Sequence, residues 1–568
     1  MRRRYNLLMR IFLFLLLFAC TGTAGALETA RSLAESGAPR LALTRVEQLQ
    51  PRDPAAPRWA EWEALRLALL VELKRDEEAL KRAAALPASM PAAALRSCLL
   101  SAARAAAATG QGVQARAYAA RLLWQQDAAP AEIRAARLAV IDSYLAERQG
   151  ETAFRAMLRY EQDYRPLDRE TADHFVGGLL DLSLNKEAVN WLASLEEGGA
   201  MKLRLQLRTG LISPDAAITQ ARAQLARRAK TGGGVEFWYV ISEAGARLGN
   251  NPLRIEALER LLNHAGGNEA RSAQQPSKIL WQAYLAEAQE AANRDRLLAG
   301  DDTTWADHAA RRLGASPQES RALFAYLVTS GRAPETRLVA QLQMAFSLYQ
   351  AGLDYTALYL FGGPEFPPES LDSQVRYLLG DLAESRNNPA LAARYWQGLS
   401  APATGDAGEW QSRLATVQWR TGAAEPALAT VRALAKSGRP LSAPAAGRVL
   451  TLAREMLSTG RAAAAEETLA VLQPLAAGEA SRDMLYLLGE CAESAAQYAR
   501  AADYYMRFAL ARGAQPPDAK AVRARLAAAL NLSRAGLRED ARAQLQWVIG
   551  NSKDAAQVEA ARQELSRL

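Results

Sequence analysis

Two segments 109 residues apart in this chain are almost the same. Residues 377–385 read Tyr-Leu-Leu-Gly-Asp-Leu-Ala-Glu-Ser, and residues 486–494 read Tyr-Leu-Leu-Gly-Glu-Cys-Ala-Glu-Ser. The likeness continues downstream, where Ala392-Ala393-Arg394-Tyr395-Trp396 keeps the same offset from its block as Ala501-Ala502-Asp503-Tyr504-Tyr505. Self-similarity at this range marks a chain built from repeated supersecondary units that bury their apolar faces on one another.

The separation divides into three units of roughly 36 residues, a period typical of paired-helix repeats. Each unit has a small residue, an Ala twelve positions on and a large apolar residue four further. The six anchor sets are Ala345/Ala357/Phe361, Gly380/Ala392/Trp396, Ala415/Ala427/Val431, Ala453/Ala465/Leu469, Gly489/Ala501/Tyr505 and Ala529/Ala541/Leu545. Two antiparallel helices approach closely only where both present Gly or Ala, and the large residue fills the gap beyond. Gly352, Gly422, Gly460 and Gly536 each fall seven residues after the small anchor, where a left-handed residue ends a helix.

Leu379-Gly380 with Ala392 and Trp396, and Leu488-Gly489 with Ala501 and Tyr505, resemble the tetratricopeptide repeat (TPR). Ala30, Gly37, Ala42, Val46 and Pro54 make a further match near the start, as do Ala103, Gly110 and Ala115. The resemblance implies an all-α, right-handed superhelical solenoid of antiparallel helix pairs, with roughly 26 to 30 helices at about 36 residues per pair. The expected divisions are a leader over 1–26, TPR-like repeats over 27–125, degenerate helical hairpins over 126–334, and TPR repeats with a capping helix over 335–568. In the middle stretch Gly150, Gly210 and Gly249 are in place, but the paired Ala positions slip by one or are filled by Arg155 and Arg254. Ser316-Pro317-x-Glu319 reads as a capping box, and Ser213-Pro214-Asp215 as a similar helix start.

Arg2, Arg3, Arg4 and Arg10 precede the apolar run 11–19, and Ala24-Gly25-Ala26 offers a small-x-small cleavage site. That is a secretory signal peptide, and its apolar run is about half the length of a membrane-spanning helix. Export to the periplasm of a bacterium is expected, with a lipoprotein anchored at Cys20 as the alternative, since Leu17-Phe18-Ala19-Cys20 resembles a lipobox. Loss of the leader lowers the formal net charge from +8 to +4, which gives no support for a nucleic-acid partner. Cys98 and Cys491 lie in distant repeats and are expected to be two buried thiols.

Catalytic and metal chemistry find little footing. His174, His264 and His308 have no His or Cys partner at metal-ligand spacing, so no cofactor is expected. Lys230-Thr231-Gly232-Gly233-Gly234 has the letters of a phosphate loop in the wrong order and reads as an inter-repeat loop. Glu319-Ser320 superficially fits the catalytic pair of superhelical lytic transglycosylases. The Gly-Leu-Met-Gln element of that family is absent, and the chain reaches Leu568 still in helical pattern. A non-enzyme is expected. Trp59, Trp62, Trp124, Trp191 and Trp547 sit in helical stretches where core packing is the default.

First helices of tetratricopeptide repeats line a concave face, and contacts come from positions beside the small anchor. The resemblance therefore implies a partner site at Gln374, Tyr377, Asp381 and Glu384 of one unit. The next unit supplies Glu409 and Trp419 with Ser412 and Thr416 between them, and two units on come Asp483, Tyr486, Glu490 and Glu493. The unit anchored at Ala453 interrupts with Leu450, Arg454 and Leu457. Gathered acids focus a negative potential, so basic or amide-rich protein segments are the expected partners. Reversing Glu384 or Glu493 to Lys is expected to leave the fold intact. The function these features imply is a scaffold for protein–protein interaction in the cell envelope. The alternative is an accessory or regulator of peptidoglycan- or exopolysaccharide-processing machinery, with direct glycan binding as a further option.

Overall fold

The structure, a computed structural model, describes residues 25–124, 127–228, 233–264, 276–402, 405–511 and 518–568. Residues 1–24, which hold Cys20 and most of the expected leader, and residues Lys230, Thr231 and Gly232 lie outside the described residues. The described residues form 30 helices and no strand, as an all-α solenoid of helix pairs requires. They divide into two compact units, Met1–Asn250 and Asn251–Leu568.

In the second unit all six anchor sets lie inside helix pairs. The pairs are Pro334–Gln350 with Asp354–Phe361, Ser373–Ser385 with Pro389–Trp396, and Ala407–Arg420 with Ala424–Lys436. They continue with Ala443–Ser458 and Ala462–Leu472, Gly478–Ser494 and Tyr498–Leu510, and Ala519–Arg534 and Arg538–Asn551, closed by Ala555–Leu565. Every anchor is buried. Gly380 is the tightest contact: a Cβ there would lie 2.0 Å from the Trp396 indole nitrogen. At Gly489 the same atom would lie 2.6 Å from the Tyr505 ring. The glycines are therefore packing residues that let a bulky ring lie against the backbone of the partner helix.

Each reversal uses one hydrogen-bond pattern. Leu353, Asn388, Ala423, Arg461, Gln497 and Leu537 each donate their backbone N–H at 2.9 Å to the carbonyl five residues earlier. With the bond from the preceding residue to the carbonyl three residues before it, this is the Schellman arrangement that satisfies the last carbonyls of a helix. It needs a left-handed residue, supplied by Gly352 (φ 68°), Gly422 (82°), Gly460 (75°) and Gly536 (79°). In the two near-identical blocks Asn387 (55°) and Ala496 (57°) take that place.

The first unit repeats the same turn. Ala38, Arg75, Gln111, Gln149 and Leu184 donate to Leu33, Leu70, Ala106, Tyr144 and Leu179 at 2.8–2.9 Å. The left-handed residues are Gly37 and Gly110 where glycine was expected, but Lys74, Arg148 and Ser183 elsewhere. Arg148, not Gly150, sets the register of the pair Pro130–Ala146 and Gly150–Asp163, so its anchors are Ile141, Ala153 and Met157, all buried. Arg155 is thus an exposed neighbour of the anchor rather than its replacement. Ile255 likewise, rather than Arg254, is a buried residue of the helix Asn251–His264. Of the tryptophans expected in the core, Trp59, Trp62 and Trp191 are buried, whereas Trp124 closes its helix at 86% exposure. Cys98 and Cys491 are free and buried, and burial pushes each thiol up to about 12.

The opening of the second unit departs from simple stacking. The helix Asn251–His264 packs against Asp354–Phe361, about a hundred residues later. Thr356 Oγ1 donates to the Glu259 carbonyl at 2.7 Å, and Asn263 Nδ2 donates to the Gly352 carbonyl at 3.0 Å. At the centre Arg321 donates from Nε and Nη2 to the Glu259 carboxylate, both at 2.7 Å, and Tyr284 donates to Glu259 at 2.6 Å. Arg321 and Glu259 are each only 2% exposed, so this pair needs every partner it has. Beside it, Glu319 does not close the expected capping box. Ser316 makes no side-chain cap, and Glu319 is buried against Arg294 and Arg312. Pro317 does occupy the first helical turn, and Ser213 does cap its helix, accepting from Ala216 N at 3.2 Å.

Two substitutions separate packing glycines from idle ones. Gly380→Ala is expected to cost about 1–3 kcal/mol through overpacking against Trp396. Gly447→Ala, in mid-helix with nothing within 4 Å, is expected to stabilise by about 0.5–1 kcal/mol. Urea unfolding reads both, and equal effects would mean that the pairing register is wrong. A second measurement concerns Glu287, which is 2% exposed and held up at about 7 by burial and then by Glu319 and Glu290. Its folded value lies above the ordinary 4.5, so the folded state holds the extra proton and stability falls as pH rises between about 4.5 and 7. Glu287→Gln should remove that decline and leave the variant more stable than the parent at pH 8. Parallel stability curves for the two proteins would refute the assignment.

Candidate functional site

The positions beside the small anchors lie on the first helices of the second unit, and in two stretches charges on one helix reach the next. Arg413, on Ala407–Arg420, donates at 2.6 Å to Asp381 and at 2.8 Å to Glu384. Arg448, one helix pair further, reaches Glu384 at 3.2 Å and Glu409 at 3.8 Å. The Arg413 guanidinium also lies 4.8 Å from the Trp396 ring centre, covering the indole that fills the space over Gly380. Burial raises the Asp381 carboxyl above its usual range, against the opposing pull of Arg413.

Tyr377 donates its hydroxyl to the Ser400 carbonyl and sets its ring edge-on to Trp410, at 5.1 Å between centres. Gln374 is exposed at the helix start, and Trp419 is partly buried against the core. The second block is arranged differently. Tyr505 donates to Glu493 at 3.1 Å, and Arg534 of the following first helix pairs with the same carboxylate. Asp483, Tyr486 and Glu490 line one cavity, in which Asp483 faces Lys520 at 3.6 Å. Burial raises both Tyr486 and Glu490.

Seven of the ten positions therefore fall into two groups. Asp381, Glu384 and Glu409 are joined by shared arginines, while Asp483, Tyr486, Glu490 and Glu493 share the helix Gly478–Ser494; Tyr377 and Trp419 pack on neighbouring apolar residues, and Gln374 joins neither group through any side-chain bond in the described residues. Sequence reading missed the cations that match the acids. Their signal was available, because opposite charges recur at about one repeat length: Arg420 pairs with Glu455 and Arg432 with Glu467, each 35 residues apart, and Arg482 with Asp518 at 36. It also missed the first of the six units, where the same offsets carry Val339 (53% exposed), Phe346 (45%) and Tyr349 (46%). No group of His, Cys, Asp and Glu among the described residues is arranged to hold a metal ion. His174 pairs with Asp142 at 2.5 Å, and that hydrogen bond raises its imidazole above the ordinary value.

No known family profile matches the chain, and no curated protein matches it. Solved structures similar to the chain include three helical-repeat proteins. The TPR domain of P58(IPK) is 12% identical, with 71% of this chain and 98% of that one covered and a TM-score of 0.19. The APC/C hetero-tetramer Cut9–Hcn1 is 14% identical over 82% and 89%, at 0.23, and Naa15/Naa10 bound to HypK-THB is 14% identical over 96% of each, at 0.19. At such TM-scores the TPR-like character rests on this chain's own anchors and turns.

The pairing changes what charge reversal does. Glu384 is 13% exposed between two guanidiniums, so Glu384→Lys would place a third cation there. A loss of about 1–3 kcal/mol is expected for it and a smaller one for Glu384→Gln, because the neutral amide still accepts a hydrogen bond. Chemical denaturation measures both. A Lys variant as stable as the parent would show that Arg413 and Arg448 do not depend on this carboxylate.

Proposed function

We propose that the chain is a non-catalytic scaffold that holds protein partners on the first-helix band of its second unit, within a bacterial cell envelope. The observation that carries this reading is the band itself. Its backbone is fixed by repeated turns, its charges are tied across neighbouring repeats, and it still presents exposed side chains at Val339, Phe346 and Tyr349 and an open cavity at Tyr486. A surface fixed before binding loses little conformational freedom when a partner docks. The site named from sequence, Gln374 to Glu493, belongs to the same band and is retained as part of the proposed contact.

The envelope setting is supported by the arginine-rich leader and by the burial of the residue that follows the expected cleavage point. Leu27, the residue that cleavage after Ala26 would leave first, is fully buried with Ala30 in the first core. No helix among the described residues is long and apolar enough to cross a membrane. An accessory role with direct glycan contact is the second reading, favoured by the exposed Phe346 and Tyr349 rings, which offer flat apolar faces.

Native affinity recovery of the tagged full chain from envelope extract, followed by mass spectrometry, tests both parts. The expected mature N-terminus is Leu27, and the expected co-recovered material is protein. A diacylglyceryl group on Cys20 would select the lipoprotein alternative, and an intact Met1 would sink export. Recovery of glycan in place of protein would favour the second reading, and recovery of neither would overturn the scaffold.

A further inference from the structure

The cavity beside Gly478–Ser494 has a chemical character of its own. Its volume is about 320 Å³, and its floor is apolar, with Leu487 4% and Phe508 2% exposed. The Tyr486 ring stands edge-on to Phe508, 5.2 Å between centres. The size lies at the lower end for ligand pockets, about 300 Å³, which suits one bulky side chain better than a whole cofactor. First helices of three consecutive repeats contribute to it, so its width is set by the stacking of the repeats.

The cations at the rim are not all paired. Arg482, below the floor, is committed to Asp518 at 2.7 Å and lies 4.2 Å from the Phe508 ring centre. Lys520 is held between Glu479 at 3.3 Å and Asp483 at 3.6 Å. Arg454 and Arg523, from the first helices before and after, are exposed and form no hydrogen bond or ion pair among the described residues. Elsewhere along the band Arg413, Arg448, Arg482 and Arg534 each have a carboxylate partner. Arg454 acts on Glu490 only through space and Arg523 on Tyr486, so both guanidiniums keep their hydrogen-bonding edges open to a partner's carboxylates.

Building on the scaffold reading, we propose that this cavity is an anchor site for a protein segment bearing an aromatic or other bulky apolar residue flanked by acidic residues. The apolar side chain fills the space over Leu487 and Phe508, and the flanking carboxylates meet Arg454 and Arg523. This sets the partner's charge opposite to the sequence expectation, because the acids that suggested a basic partner already face Arg413, Arg448, Arg534 and Lys520. Guanidiniums meet carboxylates in a fixed fork geometry, which adds selectivity to the apolar anchor.

Fluorescence anisotropy with the full chain and three end-blocked, dye-labelled nine-residue peptides tests the assignment. One peptide carries a central Phe flanked by Asp, the second the same Phe flanked by Lys, and the third Ala in place of Phe between the Asp residues. The Asp–Phe peptide should bind at least tenfold tighter than either control, and its affinity should fall as salt rises. The double variant Arg454→Gln/Arg523→Gln should lose at least tenfold in affinity and most of the salt dependence. Circular dichroism of the variant should be unchanged, since both side chains are exposed. Equal binding by the double variant, preference for the Lys peptide, or no binding of the Asp–Phe peptide would each overturn the proposal. Native partner recovery undiminished in the double variant would overturn the cavity assignment and leave the scaffold reading standing, whereas recovery of no partner would remove both.

Discussion

The close approach of two antiparallel helices at a residue without a side chain is the constraint from which the rest of this structure follows. At Gly380 and Gly489 a bulky ring lies where any Cβ would intrude. That contact fixes how far apart the two helices of a pair stand, and hence the distance at which the next pair can stack. The turn that precedes it is equally constrained. The same five-residue hydrogen bond recurs in both units, and it forces one backbone position into the left-handed region whatever residue is there.

Charge then couples units that apolar packing has already placed. The Arg–carboxylate pairs run between neighbouring repeats, and most are partly buried, where they contribute more than an isolated surface pair does. Their arrangement also decides which surface remains available to a partner. Where an acid meets an arginine one repeat away, the charge is spent on the fold. Where the guanidiniums at 454 and 523 have no such partner, it is left for something else.

The opening of the second unit shows where a one-dimensional stack stops describing this chain. Glu259, Arg321 and Tyr284 come from three helices and meet where all three are buried, and the helix carrying Glu259 is also bonded to the turn and helix around Gly352 and Thr356. A buried ion pair of this kind is costly to leave half-made, so it favours one mutual arrangement of those helices over sliding alternatives.

The sequence by itself determined the helix pairs, their period and the packing role of Gly380, Gly489, Trp396 and Tyr505, because these depend on local spacing and side-chain volume. It also located the left-handed turns wherever glycine marked them. Turns at Lys74, Arg148 and Ser183 were not legible, since tertiary packing holds those residues in a conformation that their side chains do not advertise. The first-helix band was readable as a set of offsets, and Tyr377, Asp381, Tyr486 and Glu490 do lie on it. What those residues face was decided only by the stacking of the repeats. Tertiary structure gave Glu384 two arginines, took Glu319 out of its helix cap and into an ionic cluster, and left Arg454 and Arg523 unmatched beside an apolar hollow. The physical reason is range. Helix periodicity is set by neighbours three and four residues away, whereas a charge is matched or stranded by residues a whole repeat or more distant in the chain.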